Sequence, residues 1–428
     1  MRHRTLALGL FLGTAAGSAA VGVTLATLGL EIPGNLGRVA ENALQITFPT
    51  IQSQPHPYFL LVAGGGASAY NEIALEKNVL YFQRTLAALG FEPDLASIFF
   101  ANGNDGRATV RYINEQGEEQ FKAPEIPNLL GAASLSNVQN WFQQAADQPL
   151  SNPRNCPVFF YFTGHGAFNQ QDKDNNALIL WNETFLSVRQ LANLLDQLPT
   201  QQPVVTMMAQ CYSGSFANLI YAGGDPSQAL ALQTRCGFFA TVSSRPSVGC
   251  TPAVNEADYK DYSSSFFAGL SGRDRLGESV PSTDYNQDGQ ISYAEAHAFA
   301  KVDERTSDWP ISTSEAWLQS QASEVDRLKI LRQPITELIA IARPEQKIVV
   351  NSIAHILQFN LEKAFRENQR TLLGPPQMEE EIQEAYLMRL QMELINIGME
   401  HQLRQSKDTA AIAALNRLLH CEAGSWKE

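Results

Sequence analysis

From residue 57 onward the chain alternates between short runs that are apolar throughout and longer stretches with apolar residues at helical spacing. Tyr58 to Ala63 is apolar at every position and is closed by Gly64-Gly65-Gly66. Val158 to Phe162 is of the same kind, and Pro203 to Met208, Gly237 to Val242 and Leu95 to Ala101 are apolar but for Thr206, Thr241 and Ser97, the last run ending in the turn Asn102-Gly103-Asn104-Asp105-Gly106. Between them, Leu75 to Leu89 places Leu75, Val79, Phe82, Leu86 and Leu89 on one helical face, and Ser136 to Ala146 and Leu186 to Leu198 also read as helices. Strands apolar on both faces and separated by helices describe a parallel sheet covered on both sides. The expected fold is therefore α/β, three-layered, with a mostly parallel sheet, and its sites should form beyond the carboxyl ends of the strands. Past Glu324 the pattern becomes helical, with Ile348, Ile353, Ile356, Leu357, Leu361 and Phe365, and is interrupted at Gly374-Pro375-Pro376. An all-helical region over 323–428 is expected, its amphipathic faces suited to packing on the rest of the chain or on a partner.

The amino terminus adds a cellular address. Met1-Arg2-His3-Arg4 is basic and Thr5 to Leu30 carries no charge. A basic start and an apolar stretch suit an export signal, and the run is also long enough for an uncleaved anchor. Residues 1–30 are thus expected to be a signal peptide or membrane anchor, with residues 5–30 the tether, 31–54 a linker, and 55–322 the main domain. The body of the protein is expected outside the cytoplasm, whether secreted, periplasmic or anchored. Hydrophobic residues at 44% and charged residues at 18% are ordinary for a folded chain, while a net charge of -13 argues against a nucleic-acid partner. Five cysteines, Cys156, Cys211, Cys236, Cys250 and Cys421, leave at least one thiol unpaired within the chain. Cys236 and Cys250 are candidates for a bridge that spacing alone does not establish.

Two of the strands end in reactive groups. One reads Phe160-Tyr-Phe-Thr-Gly-His165-Gly166, the other Met207-Met-Ala-Gln-Cys211-Tyr-Ser-Gly-Ser215 followed by a helical run. A thiol becomes a good nucleophile once ionised, and an imidazole beside it is the usual agent. Glycines flanking His165 allow a sharp turn and close approach, and the backbone N–H groups of Gly166 and Cys211 are suited to holding an oxyanion. Ser213 lacks the Gly-x-Ser-x-Gly elbow of a serine hydrolase.

A strand ending Thr-Gly-His-Gly, then a strand ending Ala-Gln-Cys-x-Ser-Gly-Ser, resembles the caspase-like cysteine peptidases, and the second block looks most like the legumain branch, which also includes the catalytic subunit of glycosylphosphatidylinositol transamidase. The resemblance spans about residues 57 to 320. It implies a cysteine-type endopeptidase with Cys211 as nucleophile and His165 as base, acting on protein or peptide substrates through an acyl-enzyme. A transamidase or peptide ligase, and an inactive calcium-binding interaction protein, are the alternatives. It further implies Asn71, in Ala69-Tyr-Asn71, as the residue orienting His165, although Asn71 before a helical run equally suits an N-cap. Ser244, Ser247 and Asp261 fall on positions of the legumain primary pocket. That pocket's Arg and His fall on Ile73 and Ala74 here, and its Glu on Ala209, so strict cleavage after Asn is not implied. Asp261 at the pocket base would instead favour a basic P1 residue.

One further motif belongs to a metal. Asp284, Asn286, Asp288, Gln290, Ser292 and Glu295 occupy alternating and terminal positions of a twelve-residue loop with Gly289 at its sixth place and Ile291 at its eighth. This is the pattern that gives Ca²⁺ hard oxygen ligands and a bidentate Glu, so a structural Ca²⁺ site is expected. The seven histidines show no zinc-ligand spacing, and Gly64-Gly65-Gly66 has no continuation that would cradle a phosphate. No organic cofactor is expected.

Overall fold

The computed structural model describes residues 57–147, 156–372 and 378–427. The expected signal or anchor over 1–30 and the linker over 31–54 lie outside them. Twelve strands occur among the described residues: β1 Tyr58–Gly64, β2 Ala96–Phe100, β3 Val110–Ile113, β4 Glu119–Lys122, β5 Leu129–Gly131, β6 Val158–Gly164, β7 Gly166–Ala167, β8 Ala177–Leu180, β9 Thr184–Ser187, β10 Val204–Ala209, β11 Arg235–Phe239 and β12 Ile311–Ser312. The helices are α1 Ile73–Ala88, α2 Leu135–Asp147, α3 Val188–Leu195, α4 Tyr262–Ser271, α5 Tyr293–Asp303, α6 Thr313–Gln321, α7 Glu324–Ile330, α8 Ile335–Ile341, α9 Pro344–Ile356, α10 Phe365–Arg370, α11 Glu380–Gln405 and α12 Thr409–Glu422.

Seven strands form one sheet in the order β12-β11-β10-β6-β1-β2-β5, parallel throughout except for β12 at one edge. The alternation along β1 and β6 shows why three layers result. Leu60, Val62, Phe160 and Phe162 point to one face and pack with Val138, Trp141 and Phe142 of α2 and Leu191 of α3. Phe59, Leu61, Phe159 and Tyr161 point to the other and pack with Val79 and Phe82 of α1, Phe267 of α4 and Ala296 of α5. Both strands are buried along their whole length. The fold is the three-layer α/β arrangement expected from the unbroken apolar runs.

Helices α6 to α12 enclose a third core around Ile335, Leu338, Ile353, Leu390 and Leu394. This region is stitched to the sheet. Cys421 of α12 is disulfide-bonded to Cys236 of β11, so Cys250 is not the partner of Cys236. Trp426 enters the aromatic core, 5.0 Å by ring centroid from both Phe59 and Phe159. The helical pattern from Ile348 to Phe365 is not one helix: α9 closes at Ile356, and Gln358 follows at φ 57° before α10. Leu186, read as helical, belongs to β9, and Ser187 then caps α3 through a capping box. The hairpin β3–β4 and the small sheet β7-β8-β9 went unread because their exposed, mixed residues carry little periodicity.

Candidate active site

Strands β6 and β10 are neighbours in parallel register, with Thr163 opposite Ala209. Two residues further along each strand stand His165 and Cys211, so the sheet itself brings the two blocks to one corner. The approach is tight. A Cβ added to Gly166 would lie 2.0 Å from the carbonyl oxygen of Cys211, which restricts position 166 to glycine. Gly166 faces Leu178 in the β7–β8 ladder, where Ile179 N donates to His165 O, so the Gly166 N–H points away from β8. The chain leaves Cys211 through Tyr212 at φ 60° and enters a 3₁₀ helix, Ser213–Ile220, instead of an α-helix. Poorer alignment in a 3₁₀ helix lessens the dipole's help to the thiol.

The His165 ring is held by Tyr70 and Glu72. Its Nε2–H points at two acceptors, Tyr70 O at 2.9 Å and Glu72 Oε2 at 3.0 Å. With the proton on Nε2, the Nδ1 lone pair is left to accept a proton from a thiol. The Tyr70 ring stands edge-on to the imidazole at 5.4 Å. Glu72 is 4% exposed, and its other oxygen takes the Arg111 guanidinium at 2.9 Å. Asn71 does not orient the histidine. Its Oδ1 accepts from Gly65 N at 2.9 Å and its Nδ2 donates to Thr109 O at 3.2 Å, so it ties the Gly64-Gly65 loop to the start of β3. The residue after it, Glu72, does the orienting; a carboxylate in that place also stabilises an imidazolium. Burial works against charge at Glu72, but hydrogen bonds from His165 and Arg111 prevail and hold its carboxyl below the usual range.

Two thiols share the corner. Cys211 Sγ accepts from Ser247 N at 3.3 Å and lies 3.5 Å from Ser247 O. Burial pushes its thiol up to about 11, with the Ser247 N–H and His165 pulling the other way. At neutral pH it is a thiol, so attack requires that its proton leave in the same event. Cys250, to which the sequence assigned no role in catalysis, has its sulfur within 4.8 Å of a ring nitrogen of His165 and of a Glu72 oxygen. Burial disfavours the imidazolium, yet Cys250 and then Glu72 outweigh it and raise His165 well above its ordinary value, so the base is the neutral form of the ring, whose share grows as pH rises.

The expected pocket is rearranged. Asp261 is 3% exposed and caps α4, accepting from Ser264 N at 2.7 Å; it also pairs with Arg275 at 3.4 Å. Gly249, at φ 119°, lies over it, with room for no more than hydrogen. A carboxylate already neutralised behind the wall cannot call for a P1 cation, and the basic-P1 expectation loses its base. Ser244 is exposed, and Ser247 remains at the rim beside Cys211. Ser247 Oγ donates to Asp308 Oδ2 at 2.6 Å, and Val248 N donates to Asp308 Oδ1 at 3.1 Å. Burial raises the Asp308 carboxyl to about 6. Asp308 in turn sits on a segment gripped by Arg389 of α11, which donates to Asp308 O at 2.8 Å, Glu304 O at 2.6 Å, Lys301 O at 3.1 Å and Thr306 O at 3.2 Å.

In the calcium-type loop, Asp284 accepts from Asp288 N and Gly289 N at 3.1 and 3.0 Å, and Asn286 Oδ1 from Asp288 N at 2.8 Å. Asp288 accepts from Gln290 N at 2.8 Å, and Glu295 Oε1 from Tyr285 N and Asn286 N at 2.8 and 3.1 Å. Ser292 caps α5 with Glu295 as its box partner. The side-chain oxygens therefore already turn into the loop, which fits a hard cation, and Gly289 at φ 85° makes the turn that lets them.

The fold and the corner together define a three-layer α/β protein in which a thiol and an imidazole stand at adjacent strand ends. No family model matches the chain, and none of the curated proteins does. Among solved structures, the chain is similar to protein GSU0716 from Geobacter sulfurreducens, with 12% identity and a TM-score of 0.35 over 59% of this chain and 91% of that one, a likeness too slight to carry an argument.

Proposed function

We propose that this protein is a caspase-like cysteine peptidase, nearest in kind to legumain, in which Cys211 attacks a peptide carbonyl and His165 moves the proton. The observation that carries the reading is the meeting of β6 and β10 ends, with Gly166 pressed against the carbonyl of Cys211. His165 Nδ1 takes the thiol proton as the sulfur–carbon bond forms, with the Gly166 and Cys211 N–H groups facing the developing oxyanion. The proton passes to the leaving amine, the carbon–nitrogen bond breaks, and a thioester remains for water to hydrolyse. Glu72 and the Tyr70 carbonyl keep the ring in the required tautomer. An amine in place of water would give a transamidase from the same acyl-enzyme, and the mass of the product separates the two. An inactive calcium-binding interaction protein would give neither product. An export route agrees with the Cys236–Cys421 disulfide, which persists in oxidising compartments. Among the described residues, no helix is long and apolar enough to cross a membrane; a tether is proposed at residues 5–30. Ca²⁺ is proposed as a structural ion at Asp284, Asn286, Asp288, Gln290, Ser292 and Glu295.

The proximity of Cys250 to His165 favours one rival assignment, in which Cys250 is the nucleophile. Hydrolysis of a panel of fluorogenic peptides by wild type, Cys211→Ala and Cys250→Ser decides: the proposal expects activity to vanish in the first variant and to survive in the second.

A further inference from the structure

Glu72, His165 and Cys250 come from three separate segments, and one ligand atom from each lies within 4.8 Å of the other two. Glu72 enters from the start of α1, His165 from the end of β6, and Cys250 from the loop before α4. The three differ in burial: Glu72 is buried, whereas His165 and Cys250 are half-exposed at the cleft, so the cluster has a closed back and an open front. Arg111 is engaged by Glu72 Oε1 at 2.9 Å and by Glu119 at 3.0 Å, while Glu72 Oε2 faces His165 within the cluster. Cys250 Sγ makes a long contact to Gly164 O, at 3.8 Å, and faces the His165 ring.

A thiolate, an imidazole and a carboxylate are the donor set of borderline-soft ions, and three protein ligands with an open fourth position is a zinc arrangement. Oxygen-loving cations are disfavoured by the sulfur. Bond lengths of about 2.0 to 2.3 Å put tetrahedral ligand atoms roughly 3.3 to 3.8 Å apart, so closure asks for side-chain movement of about 1 Å. Charge also balances: thiolate and carboxylate together cancel a divalent ion, and binding releases the thiol proton to solvent.

We propose that Glu72, one ring nitrogen of His165, and Cys250 bind a thiophilic divalent cation of the zinc class, and that its presence takes His165 away from Cys211. The ion-binding half stands on the cluster alone. The inhibitory half rests on the peptidase reading. Occupation would leave the Cys211 proton without an acceptor, so the protein would be silent while the metal is bound and active once a chelator removes it.

The test uses the full-length, tag-free chain and Cd²⁺ as a spectroscopic stand-in for zinc, followed through the thiolate-to-cadmium charge-transfer band and by calorimetric competition with Zn²⁺. One equivalent should bind wild type and also Cys211→Ala, which lacks the proposed nucleophile but keeps all three ligands. Affinity should fall at least about tenfold in Cys250→Ser. Cys250 is only partly buried and serine is close to it in size, so that variant is expected to fold; its melting temperature checks this. Glu72→Gln should weaken binding similarly, but it also disturbs the pair with Arg111 and so is secondary. No band in wild type, or a band lost in Cys211→Ala and kept in Cys250→Ser, overturns the site. If Zn²⁺ binds but labelling of Cys211 by a thiol-reactive peptide continues at the metal-free rate, the inhibitory half fails and the site stands. A chain inactive even after chelation yet still binding Cd²⁺ through Cys250 would sink the peptidase reading and leave the site intact.

Discussion

At the corner where β6 and β10 end, adjacent residues divide two tasks. Asn71 uses both ends of its amide on backbone and so braces the loop, while Glu72 holds the His165 ring. Replacing each therefore has a different signature. Glu72→Gln keeps the shape but removes the charge facing the imidazole, and kcat/KM on a peptide substrate should fall on the order of 10²-fold or more. Asn71→Ala leaves two buried backbone groups without partners and should cost about 1–3 kcal/mol of stability. Denaturant melts and steady-state kinetics on both variants would separate them; a large kinetic loss from Asn71→Ala in a fully folded protein would reverse the assignment. The sequence showed the two reactive blocks plainly because each lies at the end of an unbroken apolar strand. It did not show Glu72, Cys250 or Asp308, whose relevance depends on loops folding back over the sheet from distant parts of the chain. Asp261 was misread for the same reason: the capping role and the partner Arg275 lie in the local fold, not in the pocket motif.

Elements supply the context that residues lack. The parallel order of the sheet was legible from strands apolar on both faces, whereas β12 is two residues long and antiparallel, too short to leave a pattern. The role of the helical region was not legible at all. Its α11 sends Arg389, fully buried, into the 301–308 turn, and that turn carries the carboxylate that holds Ser247 and Val248 beside Cys211. Truncating Arg389 to Ala should strand four buried carbonyls, destabilising the protein by about 3–5 kcal/mol. Hydrogen exchange should then quicken first in 301–308 and in the Ser247–Gly249 wall; exchange that stays slow there would show that the helix does not support the cleft. At the calcium-type loop, α5 begins inside the ligand set, so ion binding should stiffen that helix. With an affinity in the 10⁻⁴ to 10⁻³ M class, 10 mM Ca²⁺ should raise stability by about 1.5–3 kcal/mol, an increment absent in Asp284→Ala. Calorimetry showing no Ca²⁺ heat in wild type would contradict it.

Across the whole molecule, the described residues behave as one compact unit, and its carboxyl end is fastened to the sheet by Cys236–Cys421 and by Trp426. The disulfide closes a loop spanning 185 positions, and loss of such a link typically costs 2–5 kcal/mol, so a reduced sample should melt well below an oxidised one. Where α5, α6 and α11 meet, charge is packed out of water: Lys301 is ion-paired with Glu315 and, at 2.5 Å, with Glu393. At the carboxyl end of α12, Glu422 accepts from Ser314 N and Oγ at 2.7 and 2.6 Å. Burial raises Glu422 from 4.5 to about 7 and Glu393 likewise to about 7. A carboxyl raised on folding stabilises the protein fully below its unfolded value and loses that contribution as pH climbs through the folded value. Glu422→Gln should therefore match wild type near pH 4.5 and exceed it at pH 8, by on the order of 2–3 kcal/mol. Equal melting differences at the two pH values would show that Glu422 titrates normally. Everything at the site turns on which sulfur reacts. Treating the purified full-length chain with a thiol-reactive acyloxymethyl ketone peptide and mapping the adduct by mass spectrometry reads this directly: a single adduct on Cys211, abolished in His165→Ala, is the predicted result, and an adduct on Cys250, or none at all, would contradict it.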